Sequence, residues 1–139
     1  MNLLKLLILF LVYFLHITND FYLQGILASM KQKSWWLNQF NGNLFQQDKL
    51  KEKYGKDYIC ALFIHAFSWS FMIHIPFMFF SISYNFIVIS IIINMFIHTF
   101  VDDLKANKLK INLIQDQFLH LFQITLTFLI LTKGGYLIG

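Results

Sequence analysis

Long apolar stretches alternate with short polar ones along the whole chain, and this pattern predicts four membrane-spanning helices. Runs of about 20 apolar residues, the length needed to cross a bilayer, place them at about 3–30, 58–80, 84–104 and 113–132. We therefore expect an all-α fold in which residues 1–139 form a single integral membrane domain. With short connections between the spans, the expected architecture is a four-helix transmembrane bundle.

Turn and breaker residues mark the ends of these predicted helices. Ser81 and Ser83 indicate a tight turn between the second and third spans, and Gly134 and Gly135 follow the fourth. Pro76 lacks a backbone N–H and is expected to kink the second helix or end its regular part.

The only sizeable polar segment is the loop over 31–57. Trp35 and Trp36 follow the first span closely and suit the aromatic belt at a membrane interface. The run NQFNGN is typical of a loop, and QQDKLKEKYGKD predicts a short surface helix that ends near Gly55.

Composition supports a membrane protein over a soluble one. The chain is 58% hydrophobic and 13% charged, whereas soluble domains carry about 25% charged residues. Every basic residue is a lysine in or beside a loop, without the basic face and stacking aromatics that nucleic-acid binding requires. Cys60 is the only cysteine, so an intrachain disulfide is excluded. The expected partner is the lipid bilayer, with homo-oligomerisation left open and no nucleic acid.

The lysines are distributed unevenly between the two sides of the membrane. Nine lie in the 31–57 loop or between the third and fourth spans, while Lys5 and Lys133 are on the other side. The positive-inside rule places the lysine-rich loops in the cytoplasm and both termini outside. The predicted location is the cytoplasmic (inner) membrane.

Three of the four spans carry a His and an Asp four residues apart, so that each pair shares one face of its helix. The pairs are His16 with Asp20, His98 with Asp102, and Asp116 with His120. The order is reversed in the fourth span, which runs in the opposite direction to the first and third. Every Asp is therefore expected nearer the cytoplasm, with its His one turn deeper.

The second span adds His65 at a similar depth. At ~1.5 Å per residue, His65, His98 and His120 each lie roughly 10 Å below the cytoplasmic ends of their helices. Gln24, four residues after Asp20, lies on the same face of the first span and nearer the cytoplasm. His74 is about half a turn away around its helix, and we interpret it as a packing or interfacial residue.

These polar groups are too costly in a membrane to be left unpaired. Each charge in a span costs on the order of 2.5–3.5 kcal/mol even on lenient scales. Imidazole and carboxylate groups at one depth predict a site for a divalent metal, Zn, Mn or Fe, as one or two ions. The candidate ligands are His16, Asp20, His65, His98, Asp102, Asp116 and His120. Alternatively the carboxylates orient the histidines, or the His–Asp pairs only hold the helices together.

The polar motifs resemble a small membrane family of bacteria and phages that is known only as domain of unknown function 3307. The first span carries His16, Asp20–Phe21 and Gln24, followed by Lys31 or Lys33. The other matching residues are His65, then His98, Asp102 and Lys105, then Asp116, Gln117 and His120. A weaker similarity is to inner-membrane families described as metal-dependent hydrolases. These resemblances imply a small integral membrane protein and favour hydrolysis among its activities.

The leading hypothesis is a metal-dependent hydrolase that acts on an ester or phosphoester of a lipid-like substrate. Asp20, Asp102 and Asp116 are the candidate general bases or ligands, and Lys105 is a candidate for holding a phosphate. Gln24 and Gln117 are candidates for positioning the substrate or the ligands. Two alternatives stay open: a transporter or channel subunit for protons or metal ions, and a structural or signalling protein such as a phage accessory or defence effector.

Overall fold

The computed structural model describes residues 3–38, 44–80 and 82–133, and it confirms an all-α fold. The helices are α1 (Leu3–Ile17), α2 (Leu27–Met30), α3 (Lys33–Asn38), α4 (Leu44–Tyr54), α5 (Asp57–His74), α6 (Tyr84–Ala106) and α7 (Leu113–Lys133). Across these three ranges there is no β-strand.

Four helical segments are long and apolar enough to cross a membrane, as predicted. They are Leu3–Leu23, Lys51–Phe79, Tyr84–Ala106 and Leu113–Lys133. Their outer faces carry large exposed hydrophobic side chains such as Phe10, Phe67 and Phe118. Such a surface would be unfavourable in water and suits contact with lipid.

The four spans form an antiparallel bundle. Helix α1 packs against α5 and α7, and α6 packs against the same two helices, which closes the ring. Along the α1–α7 contact, Lys5 Nζ near the start of α1 donates to the Thr132 carbonyl near the end of α7 at 2.9 Å. Further along, Tyr13 Oη lies 2.7 Å from Thr125 Oγ1. The two helices therefore run in opposite directions.

The first span differs from the single helix predicted over residues 3–30. Helix α1 ends at Ile17 and continues as a π-helix over Thr18–Leu23, after which the regular helix is interrupted. Gly25 has φ +49°, in the left-handed region that favours glycine. The chain turns there, so the segment containing α2 does not continue along the axis of α1. Apolar residues lie on both sides of Gly25, so the hydropathy pattern predicted one continuous helix.

The second span ends as Pro76 predicts. Helix α5 stops at His74, and Ile75–Phe79 form a 3₁₀-helix with the proline in its first turn. Ser83 is the residue before α6. Ser81, Gly134 and Gly135, like residues 39–43 of the expected loop, lie outside the described residues.

The predicted surface helix is present as α4, which ends one residue before Gly55. Trp35 and Trp36 are in α3, and both are half-buried. The Trp36 indole N–H donates to the Met30 carbonyl at 2.7 Å, which ties α3 to the end of α2.

The bundle interior is divided along its length into an apolar end and a polar end. The apolar end contains Ile8, Val12, Trp69, Ile73, Phe77, Phe80, Ile124, Phe128 and Leu131. The buried polar end contains His16, Asp20, Lys31, His65, His98, Asp102, Asp116 and His120. Of the apolar residues, Trp69 contacts the polar end directly. A smaller polar layer around Asn94 and Gln123 lies between the polar end and the rest of the apolar end. The polar end lies on the side of the lysine-rich loops.

Candidate metal centre

The three His–Asp pairs and His65 meet in one buried cluster, with contributions from all four spans. The four imidazoles are at most 1% exposed, and the carboxylates of Asp20, Asp102 and Asp116 are at most 6% exposed. Because these groups are cut off from water, each needs a partner inside the protein.

His65, His98 and Asp20 form a triangle of candidate ligand atoms. The Nε2 atoms of His65 and His98 lie 3.2 Å apart. Asp20 Oδ1 lies 3.3 Å from the first and 3.9 Å from the second. Around a tetrahedral ion with ligand distances of about 2.0–2.1 Å, neighbouring ligand atoms are ~3.3–3.4 Å apart. The triangle therefore has the size of one face of a zinc-type coordination shell.

Asp102 lies beside this triangle and close to both of its imidazoles. Its Oδ2 is 3.5 Å from His65 Nε2 and 3.8 Å from His98 Nε2. The same oxygen accepts from Lys31 Nζ at 2.6 Å, and Oδ1 accepts from His120 Nε2 at 3.3 Å. Each oxygen of the Asp102 carboxylate thus accepts a hydrogen bond from a side-chain donor.

Asp20 has fewer hydrogen-bond donors than Asp102. Its Oδ1 is buried and has no hydrogen-bond partner of good geometry among the described residues. A buried carboxylate oxygen without a donor is costly. A cation within the triangle would satisfy this oxygen.

The hydrogen-bond pattern determines which nitrogen of His98 is free to bind a cation. His120 Nε2 lies 3.3 Å from both Asp102 Oδ1 and Asp116 Oδ1, so it carries a hydrogen. In a neutral imidazole the Nδ1 of His120 is then an acceptor, and it receives the Nδ1–H of His98 at 3.2 Å. The lone pair of His98 is therefore on Nε2, which points into the triangle.

Trp69, which sequence reasoning did not assign to the site, holds the rings of this cluster in place. Its ring stacks on His98 with centroids 4.1 Å apart and an interplanar angle of 17°. Its indole N–H also donates to His16 Nδ1 at 2.7 Å. Trp69 lies one turn from His65 on α5, and the sequence signal was only its presence on the same helix face.

His16 makes hydrogen bonds with both ring nitrogens. Because Nδ1 accepts from Trp69, Nε2 carries the hydrogen and donates to Gln117 Oε1 at 3.2 Å. Gln117 Nε2 then donates to Asp20 Oδ2 at 3.4 Å and to Asp116 Oδ2 at 3.1 Å. This chain of bonds orients Asp20, so His16 and Gln117 both occupy positions that support the triangle. The predicted ligand role of His16 gains no support from this geometry.

The charges of the cluster do not balance within the protein when the imidazoles are neutral. Lys31 pairs with Asp102, and Lys105 pairs with Asp116. Asp20 has only imidazole and amide neighbours. One negative charge is left, and either a cation in the triangle or a proton on one imidazole would compensate it.

Lys31 was not among the candidate site residues, although it was one of two alternatives in the family motif. It is 6% exposed, whereas Lys33 is exposed to solvent. The turn at Gly25 brings its segment back over the cluster. Asn107, at the end of α6, holds this segment by donating to the Lys31 carbonyl at 3.1 Å and accepting from the Lys33 N–H at 2.7 Å. Only the tertiary fold distinguishes the two lysines.

The remaining candidates are placed at or outside the edge of the cluster. Gln24 donates to the main-chain carbonyl of Asp20. Lys105 is committed to Asp116, so phosphate binding by Lys105 would require it to leave that pair. His74 is fully buried, with Nδ1 2.7 Å from the Ser70 carbonyl, and is a packing residue rather than an interfacial one.

Comparisons with known proteins add nothing to this picture. No family model matches the chain, and neither the curated proteins nor the solved structures that were searched contain a match. The geometry of the cluster is therefore the feature that indicates a function.

Proposed function

We propose that this protein is a membrane-embedded metal-dependent hydrolase with Asp20, His65 and His98 as its ligands for a single divalent cation. The observation that carries the proposal is the buried Asp20 Oδ1, which has no hydrogen bond of good geometry in the described part of the chain and lies 3.3 Å from His65 Nε2. Two imidazoles and a carboxylate suit zinc, manganese or iron.

The arrangement has the features of a catalytic rather than a closed structural site. Catalytic zinc sites use three protein ligands and leave one position for water or substrate. In this protein Asp102 Oδ2 lies beside the three ligand atoms, 3.5 Å from His65 Nε2. A second possible grouping, His98, Asp102 and His120, shares His98 with the first. Because a neutral imidazole has only one nitrogen free to bind a cation, we propose one ion and not two.

The residues around the triangle can perform ester hydrolysis. A divalent cation in the triangle would make a bound water more acidic and polarise the ester. Asp102 would accept a proton from the water, whose oxygen would bond to the carbonyl carbon or phosphorus. The alcohol would then leave as its bond to that atom breaks, and Asp102 would return the proton to it. Lys31 would hold Asp102 in place.

The orientation in the membrane is also a proposal. The lysine asymmetry supports cytoplasmic lysine-rich loops, external termini and the inner membrane. Membership of the family known as domain of unknown function 3307 is likewise a proposal, and it rests on the sequence motifs. Lys31, His65, His98, Asp102 and the Asp-Gln-x2-His run, which come from separate parts of the chain, all meet in one cluster.

Transport is less well supported than hydrolysis. A transporter needs a polar route through the bundle. Beyond the Asn94 layer, Ile73, Phe77 and Phe128 pack in the interior of the described spans. This apolar packing favours a site that serves one side of the membrane.

Metal content of the purified protein tests the premise. After incubation with zinc, manganese or iron and removal of excess, we expect about one ion per chain. His65→Gln and Asp20→Asn should lose most of it. His74→Gln is the matched control, because His74 is on the same helix, equally buried and outside the triangle. A metal-free wild-type protein, or equal loss in the His74 variant, would falsify the proposal.

A second experiment separates the proposed base from the ligands. The double variant Lys31→Met with Asp102→Asn removes the pair together and leaves no unpaired charge. We expect it to retain the metal and to lose about 10²–10⁴-fold in turnover of a nitrophenyl ester or phosphodiester in mixed micelles. Unchanged turnover would remove Asp102 from the mechanism. A metal-loaded wild type that is inactive on both substrates but conducts protons or metal ions into vesicles would instead support transport.

A further inference from the structure

The candidate metal centre is closed, so a molecule in solution cannot reach its ligand atoms unless part of the protein moves. His65 and His98 are at most 1% exposed, and Asp20 is 6% exposed. The spans around them are joined by contacts between helices, such as Tyr13 Oη with Thr125 Oγ1 at 2.7 Å. Separation of two spans would break such contacts and expose polar groups to lipid, which is costly. An opening is therefore expected where a segment outside the spans covers the cluster.

The segment 24–38, which contains α2 and α3, covers the polar end of the bundle in this way. No residue of α2 or α3 is buried, and Lys31 is the only buried residue of the segment. A cavity of about 500 Å³ lies between Leu37 of α3 and Gly55, so α3 is not closely packed on that side. Segments with few buried apolar contacts open locally at a lower cost than a packed core.

Two side chains of α6 hold this segment in place. Lys31 Nζ donates to Asp102 Oδ2 at 2.6 Å. Asn107 Nδ2 donates to the Lys31 carbonyl at 3.1 Å, and its Oδ1 accepts from the main-chain N–H of Lys33 at 2.7 Å. Asp103 Oδ1 accepts from the same Nδ2 at 2.9 Å, which fixes the orientation of the amide. One amide side chain thus holds the main chain that carries Lys31.

The segment joins the first span at a point where the backbone can rotate. The π-helix of that span ends at Leu23, and Gly25 has φ +49°. Glycine adopts positive and negative φ about equally readily. Hinges consist of a few residues at the ends of helices or strands that absorb such rotations. Gly25 has both the position and the conformational freedom of a hinge.

We propose that residues 24–38 form a lid that opens at Gly25 and admits molecules from the side of the lysine-rich loops, with Asn107 as its latch. The closed lid places Lys31 beside Asp102 and keeps water out of the cluster. In the proposed hydrolase, an assignment on which this step rests, substrate enters while the lid is open. Closure then returns Lys31 to Asp102 before the reaction. Access to the cluster does not itself depend on hydrolysis.

The test measures access to the histidines of the cluster in full-length protein in nanodiscs, treated with a chelator so that no metal protects them. The probe is diethyl pyrocarbonate, which modifies neutral imidazole, and mass spectrometry reads each histidine separately. We expect Asn107→Ala to raise the rate of modification about 5–100-fold, as loss of two hydrogen bonds allows. His74, buried outside the cluster, should stay protected.

Gln32→Ala is the matched control for Asn107→Ala. The Gln32 amide lies within the lid and donates only to the Ala28 carbonyl of the lid itself, at 3.3 Å. Its loss should leave the rate of modification unchanged. Equal rates in the two variants would overturn the proposal, as would an equal rise at His74, which would indicate general unfolding.

A cross-link keeps the test valid if Asn107→Ala does not fold. Lys33 and Lys108 are both exposed and lie on either side of the latch. Lys33→Cys with Lys108→Cys, in a Cys60→Ser background, allows a short bismaleimide to hold the lid closed. Cross-linking should slow modification of the cluster relative to Lys33→Cys alone, which carries the reagent without a cross-link. Equal rates with and without the cross-link would contradict the proposal.

Metal content measured on the same variants separates this proposal from the proposed function. A protein that binds no metal but whose histidine modification follows the latch would support the lid and refute the metal centre. A protein that binds metal but whose modification ignores both the latch and the cross-link would refute the lid alone.

Discussion

The apolar end and the polar end of this bundle are built from the same four helices but held together by different interactions. At the apolar end, side chains such as Phe77 and Phe128 fill the space between the helices. At the polar end, His65, His98 and Asp102 contact one another through nitrogen and oxygen atoms and exclude water equally well. Both ends are buried to a similar extent.

The difference between the two ends shows what each contributes in a membrane. Lipid chains are as apolar as the side chains of the apolar end, so helix association there gains only packing. The polar groups have few alternatives in lipid, because only their partners on the neighbouring helices can satisfy them. The polar end therefore specifies which helices meet and in which register, while the apolar end fills the remaining volume.

Removal of Lys31 should have the largest effect on stability. Lys31→Met leaves the buried Asp102 carboxylate without its cation, and loss of one partner of a buried pair costs about 3–5 kcal/mol. The measurement is unfolding in mixed micelles with increasing SDS. Lys33→Met, at an exposed lysine two residues away, should change stability little. A cost below about 1 kcal/mol for Lys31→Met would show that the pair is not buried in the membrane-bound protein.

The apolar end should respond less strongly to a comparable deletion. A buried Phe→Ala change costs about 3–5 kcal/mol in water, and part of that transfer energy is missing in lipid. We therefore expect about 2–3 kcal/mol for Phe128→Ala in the same assay. Phe122→Ala on the same helix, at a 61% exposed position, should cost little. If the two variants are equally stable, packing at the apolar end does not hold the bundle together.

Loss of Gln117 should affect the metal centre more than the fold. Gln117→Leu removes the amide that donates to Asp20 and Asp116, and loss of such a supporting group lowers metal affinity about 10–100-fold. A competition titration with a metal indicator measures this change. Gln115→Leu on the exposed side of α7 is the control. Equal affinities in both variants would argue that Asp20 is not held through Gln117.

The smallest effect is expected at a single hydrogen bond between helices. Tyr13→Phe removes the contact of its hydroxyl with Thr125 Oγ1, and such bonds average about 0.6 kcal/mol in membrane proteins. Tyr22→Phe, at a side chain that is 78% exposed, is the matched control in the SDS assay. A loss of more than about 2 kcal/mol, beyond the range of these bonds, would give the α1–α7 contact a larger role than its packing suggests.

The four spans were predictable because hydropathy depends on local sequence. The starts of α6 and α7 fall where the apolar runs predict them, at Tyr84 and Leu113, and Pro76 ends the regular part of the second span. The break after Leu23 was not predictable in the same way. It depends on one glycine at positive φ, and a hydropathy average does not detect a single backbone angle.

The spacing of the His–Asp pairs indicated that these residues share helix faces, but it did not indicate their contacts. Spacing of four residues suggested that His98 and Asp102 are partners, yet their side chains are 3.8 Å apart. Asp102 is closer to Lys31 at 2.6 Å and to His120 at 3.3 Å. Residues one turn apart share a face, but they project side by side towards the bundle interior. The closest partners of His98 and Asp102 therefore come from other segments of the chain.

The sequence by itself determined that the chain forms four apolar helices and that its histidines and aspartates lie at one depth in three of them. Both properties follow from helix periodicity and from the length of the apolar runs. Only the tertiary structure decided that Lys31 rather than Lys33 reaches the cluster, that His16 hydrogen-bonds to Trp69 and Gln117, and that Asp20 keeps an oxygen without a donor. The physical reason is that a partner on another helix depends on rotation and chain turns, which the spacing along one helix does not encode.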